Sequence, residues 1–235
     1  MKTKLIILSS NDIFFTLPLH AHISKDNRID IQKICLFKEK SHLKKKFKIL
    51  ILLSFFDLIK ILKRIINSLF LKKEIFIYEK FSNVNSINFI NNINKLKADL
   101  IICINCPQIL SKNTINKIKY PIYNFHPGDL PDFRGVFIPF FLLKNKINKA
   151  CLTFHKIDEQ IDKGTVISKN YVTLTNKDNM FSIYEKIFLS NKSINFIFSS
   201  IINHKNLVYS ENNNSDKYYS YPTILEILKF RFGFN

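Results

Sequence analysis

The sequence predicts an α/β fold, a mostly parallel sheet flanked by helices with a short C-terminal extension. Three observations carry this expectation. Short runs rich in β-branched residues alternate with helical patterns along much of the chain. A length of 235 residues, 46% of them hydrophobic, suffices for one domain with a full core and no covalent staples. Glycine is scarce, with only 4 in the chain, and three of them fall in two short segments, 124–135 and 162–164, where the backbone is expected to turn sharply. Residues 1–205 read as the main domain and 206–235 as the extension.

The elements follow in order. Lys4 to Leu8 reads as a strand, and Ser9-Ser-Asn11 offers helix caps ahead of an apolar segment from Ile13 to Ile23. The connecting loop has no glycine, which excludes a G-x-G-x-x-G or Walker-type phosphate cradle. Further strands are expected at Ile29 to Phe37, Ile75 to Tyr78, Asp99 to Ile104 and Pro121 to Phe125. Beyond them, Val136 to Lys146 reads as a helix, Ala150 to Ile157 and Thr165 to Leu174 as strands around a polar loop at 158–164, and Asn179 to Asn203 as one long helix. After a polar break at Asn212 to Asn214, the end from Tyr218 to Phe234 is aromatic and apolar enough that a monomer would struggle to cover it, so a homodimer through this tail is expected. There is no internal repeat.

The segment Phe47 to Leu71 resembles a membrane span in part, but Asp57, Lys60, Lys63, Arg64 and Asn67 recur mostly at steps of three and four. They mark the polar face of an amphipathic helix. The expectation is a helix packed on the sheet. The alternative is an interfacial helix in peripheral contact with anionic lipid, since Lys44-Lys-Lys46 and Lys48 precede it.

A net charge of +18 and a pI near 9.7 would ordinarily suggest nucleic acid or anionic membranes as partners. Lysine, asparagine and isoleucine are all abundant at the expense of glycine and alanine, and the excess is spread along the chain, as a codon bias would spread it. Nucleic acid is therefore not the expected partner. An anionic small molecule, such as a polyglutamate-tailed cofactor or a nucleotide diphosphate, suits the charge. Cys35, Cys103, Cys106 and Cys151 are scattered and the N-terminus has no secretory pattern, so a reducing cytoplasm is expected. Cys103-Ile-Asn-Cys106 is formally a C-x-x-C. Cys103 lies in an apolar run and no second pair completes a zinc site, so no metal is expected.

The glycine-bearing segments hold Asn124, His126 and Asp162. An amide, an imidazole and a carboxylate suit acyl transfer through a tetrahedral intermediate. Asn124 and His126 fall at the end of an expected strand, where sites in open α/β sheets lie, and the 158–164 loop is placed to bring Asp162 toward His126. Each residue alone also reads as a turn former or a buried hydrogen-bonded side chain.

The motif Asn124-x-His126-Pro-Gly-x-Leu-Pro131-x-x-Arg134-Gly135, followed by Thr153-x-His155 and Asp162-x-Gly164-x-Val-Ile167, resembles the 10-formyltetrahydrofolate-dependent formyltransferase family. The Tyr218-Tyr-Ser-Tyr-Pro-Thr223 end is similar to tails of its smaller members. The departures are Gly128 and Asp129, where better-known members carry serine and leucine. The resemblance implies a Rossmann-like fold and N-formyl transfer, with 10-formyltetrahydrofolate as co-substrate. Asn124 and His126 would stabilise the oxyanion, and Asp162 would favour the imidazolium and take the amine proton. Gln108, Ile109 and Leu110, with Asp158, Glu159 and Ile161, would hold the pteridine largely through backbone groups. Arg134, Gly135 and His155 would line or support the substrate pocket, Arg134 meeting an anionic substrate or a carboxylate.

Among acceptors, glycinamide ribonucleotide is disfavoured by the glycine-free loop after the first strand. Methionyl-tRNA is disfavoured because little chain follows the last core strand. An amino-deoxy sugar nucleotide, used in making surface polysaccharide, fits best. The alternatives are a methionyl-tRNA formyltransferase-like enzyme without its tRNA domain, a non-catalytic folate- or nucleotide-binding relative, and a basic nucleic-acid or membrane-surface protein on an inherited fold.

Overall fold

The computed structural model describes residues 2–12, 15–38, 78–204 and 217–232, with positions 59, 62, 63 and 66 between them. A seven-stranded sheet organises these residues, in the order β3-β2-β1-β4-β5-β7-β8. Strands β1 (Thr3–Ser10), β2 (Ile29–Phe37), β3 (Tyr78–Phe81), β4 (Leu100–Ile104) and β5 (Ile122–His126) pair in parallel. Strands β7 (Lys149–Lys156) and β8 (Val166–Thr173) extend the sheet antiparallel. Two-residue strands β6 (Arg134–Gly135) and β9 (Tyr218–Tyr219) form a second, parallel sheet. The mostly parallel α/β architecture expected from the alternating pattern is the one observed.

Burial follows from the apolar runs. β4 is buried at all five positions and β1 at Leu5 to Ser9, as expected for strands covered on both faces. One face packs under α1 (Thr16–Lys25), α5 (Met180–Leu189) and α6 (Asn191–Ile202), around Leu5, Ile7, Leu19, Phe125, Phe154 and Ile197. The other face packs under α2 (Ile87–Lys95), around Ile6, Leu8, Phe89, Ile93 and Cys103. Phe125 and Phe154 stack across the β5–β7 pair at 4.7 Å, and truncating either ring would cost about 3–5 kcal/mol. The short helix α3 (Lys112–Lys117) follows β4, and α4 (Ile138–Lys144) follows β6.

Several expected boundaries shift. The long helix at 179–203 is two helices, because Ser190 is extended (φ −66°, ψ 149°) and its hydroxyl caps α6 by accepting from Ser193 N–H. Ser9 and Asn11 do not cap α1. Its N-cap is Phe15, which has no side-chain cap bond, while the Ser9 hydroxyl donates to the Ile104 carbonyl at 2.8 Å. The strand expected at Ile75 to Tyr78 begins, among the described residues, at Tyr78 and runs to Phe81. The amphipathic segment 47–71 lies outside the described residues except at four positions, of which Ile59, Leu62 and Ile66 are exposed. No helix among the described residues is long and apolar enough to cross a membrane. The final helix α7 (Ile224–Phe232) buries Ile227 against Phe140 and Phe141 and leaves Leu225 and Phe232 exposed.

Candidate active site

Alternate residues of a strand share a face, so Asn124 and His126 at the end of β5 project to the same side of the sheet. β7 runs antiparallel beside them, placing His155 opposite Asn124 and Thr153 opposite His126. That register turns Asn-x-His and Thr-x-His into two facing pairs. The Asn124 side-chain amide donates to His155 Nε2 at 3.1 Å, and His155 Nδ1 lies 3.0 Å from the Lys156 carbonyl. A carbonyl only accepts, so Nδ1 carries the proton and Nε2 is the acceptor. Burial holds the His155 imidazole down at about 4, against the opposing influence of the Asp162 charge, and the ring is neutral at neutral pH. It fixes one amide N–H of Asn124 and leaves the second for a ligand.

His126 is buried, with Nε2 2.7 Å from the Phe133 carbonyl. By the same argument Nε2 carries a proton, and Nδ1 faces Asp162 Oδ1 at 3.6 Å. His126 can therefore donate toward the cavity only when Nδ1 is also protonated, a restriction invisible in the motif. The loop geometry shows what Gly128 and Asp129 do in this chain. A Cβ on Gly128 would lie 2.2 Å from the Phe133 carbonyl oxygen and 2.6 Å from His126 Nε2, so no side chain fits beside this bond. Asp129 accepts from Lys169 Nζ at 2.6 Å and from the Tyr171 hydroxyl at 3.1 Å, tying the loop to β8. The Thr153 hydroxyl donates to the Gly128 carbonyl at 2.6 Å and supports the loop from below.

Asp162 arrives from the loop between β7 and β8 in the left-handed region, φ +53°. This is an uncommon conformation for a residue with a side chain, and aspartate tolerates it better than most. Its Oδ2 accepts from Gly135 N–H at 2.9 Å, while Oδ1 faces His126 Nδ1 at 3.6 Å and His155 Nε2 at 3.9 Å. Gly135 has φ +104°, and a Cβ there would lie 2.0 Å from the Tyr219 carbonyl oxygen. With Nδ1 unprotonated, His126 Nδ1 and Asp162 Oδ1 are two acceptors converging on one spot, with the Asn124 donor nearby. Such a site can receive an N–H nucleophile on one side and a developing oxyanion on the other.

These groups line a cavity of about 870 Å³ at the carboxyl ends of the parallel strands. Gln108, Ile109 and Leu110 and the 157–162 loop form part of its wall. The Gln108 side chain is committed to the neighbouring turn, accepting from Val84 N–H and donating to the Ser82 carbonyl. The Ile109 carbonyl accepts from Asn85. Asp158 accepts from Gln160 N–H at 2.9 Å, and Glu159 pairs with Lys112 at 2.6 Å. Arg134 is not in the cavity wall. It is buried, donates to the Ile161 carbonyl at 3.3 Å and lies over the Tyr218 ring, so it braces the loop rather than reaching into the pocket. The structure also brings in groups the sequence reading overlooked: the Phe133 carbonyl, and Tyr218 and Tyr221 from the tail, both in the cavity wall. A carbonyl has no sequence signature, and the tyrosine-rich tail reads equally well as a surface patch. Cys103 and Cys106 are free thiols, and among the described residues no group of three or more His, Cys, Asp or Glu could hold a metal ion.

The family model described as formyl transferase matches residues 60–196, more than half of the chain and all of the residues just described from Gln108 to Asp162. The chain belongs to the formyl transferase family. It is 29% identical over 126 residues to the bifunctional polymyxin resistance protein ArnA of Wigglesworthia glossinidia brevipalpis, covering 52% of this chain and 19% of that one. It is 28% identical over 105 residues to the methionyl-tRNA formyltransferase of Fusobacterium nucleatum, covering 45% of this chain and 34% of that one. The matched part thus spans about a fifth to a third of these curated relatives. Among solved structures, an N-formyltransferase from Helicobacter canadensis in complex with folinic acid and dTDP-3-aminofucose superposes with a TM-score of 0.58 at 19% identity, covering 94% of this chain and 71% of that one. At that identity the likeness is one of fold.

Two buried histidines, His20 on α1 and His155 in the site, carry a stability signature. Burial holds His20 at about 3 and His155 at about 4, both below the ordinary 6.5. The unfolded chain therefore takes up protons first as pH falls, so their contribution to stability is complete above pH 6.5 and is lost as pH drops toward 4 and then 3. Unfolding at pH 5 is expected to take up close to two protons through these groups, a slope of about 1.4 kcal/mol per pH unit for each. Urea denaturation between pH 7 and 4.5 checks this, and a His20→Phe variant should show roughly half the slope.

Proposed function

We propose that the protein transfers a formyl group from 10-formyltetrahydrofolate to a primary amine, and that the acceptor is an amino-deoxy sugar nucleotide. The observation that carries the reading is the convergence of Asn124, His126 and Asp162 in one cavity, with the Asn124 donor fixed by His155 and the Asp162 acceptor fixed by Gly135. In this mechanism the amine enters as the ammonium, gives one proton to Oδ1 of Asp162 before attack, which is released to solvent with the products, and gives a second to Nδ1 of His126 as the new C–N bond forms. The free Asn124 N–H meets the formyl oxygen as it gathers charge, and His126, once protonated at Nδ1, adds a second donor there. The formyl C–N bond to the folate breaks as the intermediate collapses, and the leaving nitrogen recovers a proton from the imidazolium. The co-substrate supplies the activated one-carbon unit, and the wall segments 108–110 and 157–162 are the surfaces offered for its ring system.

The sugar-nucleotide reading draws on the aromatic residues that line the same cavity. Tyr184, Tyr218 and Tyr221, with Phe137, present aromatic faces and phenols, which suit a pyranose and a base. The Ser10 to Asp12 segment, which also lines the cavity, has no glycine cradle for a lone phosphate. The structural neighbour solved with dTDP-3-aminofucose supports the same class. Tetrahydrofolate release, followed with 3-amino and 4-amino dideoxyhexose nucleotides, glycinamide ribonucleotide and methionyl-tRNA, tests it. Turnover with an amino sugar nucleotide supports the proposal. Turnover confined to methionyl-tRNA would replace the acceptor, and folate binding without transfer to any amine would remove the catalytic reading.

His155 is the supporting residue in this scheme. His155→Ala is expected to lower kcat by roughly tenfold to a hundredfold through loss of Asn124 orientation, with a smaller change in folate affinity. Steady-state kinetics beside equilibrium binding of 5-formyltetrahydrofolate separates the two.

A further inference from the structure

The segment that the sequence presents as an appendage reaches the catalytic groups. Tyr218 and Tyr219 pair in parallel with Arg134 and Gly135, and Val136 N–H donates to the Tyr219 carbonyl at 2.8 Å. The Tyr219 ring stacks on Phe133 at 5.4 Å with 11° between the planes, and it contacts Phe141 at 4.5 Å. Arg134 lies over the Tyr218 ring at 6.0 Å. The tail thus grips four consecutive residues, 133–136. Two of these hold the catalytic groups: the Phe133 carbonyl accepts from His126 Nε2, and Gly135 N–H donates to Asp162 Oδ2. Gly135 lets the two short strands close, because a Cβ would strike the Tyr219 carbonyl.

We propose that the β9 segment is a positioning element of the active site, with Tyr219 setting the place of the Phe133 carbonyl and the Gly135 amide and, through them, the tautomer of His126 and the orientation of Asp162. This rests on the formyl-transfer reading for its kinetic consequences but not for its structural ones. Tyr219 touches neither substrate nor reacting atoms in this scheme. Its removal shifts two handholds at once, and displacements of about 1 Å at a reacting centre cost on the order of a hundredfold in rate.

The test uses the full-length chain with Tyr219→Ala, Tyr219→Leu and Tyr219→Phe, read in two independent ways. In the wild type, ¹⁵N spectra of the histidine side chains should show His126 as the Nε2–H tautomer when neutral. In Tyr219→Ala that signal should move toward a mixture of tautomers, and kcat should fall roughly 10- to 100-fold with a much smaller change in acceptor KM. Tyr219→Phe keeps the ring and the backbone and should restore both readouts. Tyr219→Leu keeps apolar bulk against Phe141 but not the stack, and it decides the matter should the alanine chain fail to fold. A wild-type-like His126 signal in a folded Tyr219→Ala or Tyr219→Leu chain overturns the proposal. So does a rise in acceptor KM with kcat unchanged, which would make β9 only a wall of the pocket. Absence of formyl transfer in the wild type, with the tautomer shift still seen on substitution, would remove the formyl-transfer reading and leave the positioning role standing.

Discussion

Asn124→Ala is expected to lower kcat by roughly 10²–10³-fold, the ordinary cost of removing one preorganised donor from an oxyanion site. Its amide is the side-chain donor that the described structure both aims at the cavity and fixes from behind, through a neutral His155. His126→Ala should cost about 10²–10⁴-fold, because it removes a proton acceptor and, after protonation, a donor. Asp162→Asn keeps the side-chain size while removing the charge, and it should separate loss of proton acceptance from loss of the contact with Gly135 N–H. If the three groups act as one unit, the double variant Asn124→Ala/His126→Ala will lose little more than the worse single. Single-turnover measurements on folded variants decide this. Multiplicative losses would mean the groups act in separate steps, and near-wild-type turnover in any one variant would cancel its assigned role.

Gly164→Ala is expected to produce a large loss of stability. A Cβ at Gly164 would lie 1.7 Å from the Lys156 carbonyl oxygen and 2.8 Å from its carbon. That backbone is poorly placed to yield. Its N–H donates to the Thr165 carbonyl at 2.9 Å, and its carbonyl accepts from His155. Overpacking against fixed backbone should cost about 3 kcal/mol or more, equivalent to a fall in Tm of roughly 6–12 °C for a chain of this size. Moving the Lys156 carbonyl also releases His155 and so Asn124, so activity per folded molecule should fall along with Tm. Thermal unfolding paired with turnover normalised to folded protein reads both. A variant as stable and as active as wild type would show that this part of the 158–164 loop is not held as described. Gly128→Ser should act more locally, by pushing the Phe133 carbonyl off His126.

Much of the fold was legible because its signals are local. β-branched runs bounded by polar breaks marked β1, β2, β4, β5, β7 and β8 to within a few residues, and a parallel sheet follows from strands separated by helix-length segments. The break at Ser190 was missed because an apolar pattern continues on both sides of it, and only the capping geometry shows that the helix stops and restarts. Asn124 and His126 could be named from sequence because they sit two apart on one strand, and Asp162 because the Asp-Lys-Gly turn accompanies it. The residues themselves and the face shared by Asn124 and His126 follow from the chain alone, since strand alternation is a property of the backbone.

What surrounds those residues was decided by tertiary structure. Whether His155 lies opposite Asn124 or one residue away depends on the antiparallel register of β5 and β7, and a slip of one residue would turn His155 to the other face. The proton on His126 Nε2 depends on a carbonyl seven residues along the chain, brought close because Gly128 leaves room for it. The amide that holds Asp162 is set by a strand from the far end of the chain, packed on Gly135. The Asn124–His155 and Asp162–Gly135 contacts join segments distant in sequence, and the Phe133 carbonyl and Gly135 amide are backbone groups that carry no sequence signature. Residue identity therefore determined which chemistry this chain brings to the cavity, while register and packing determined the protonation, orientation and access of each group.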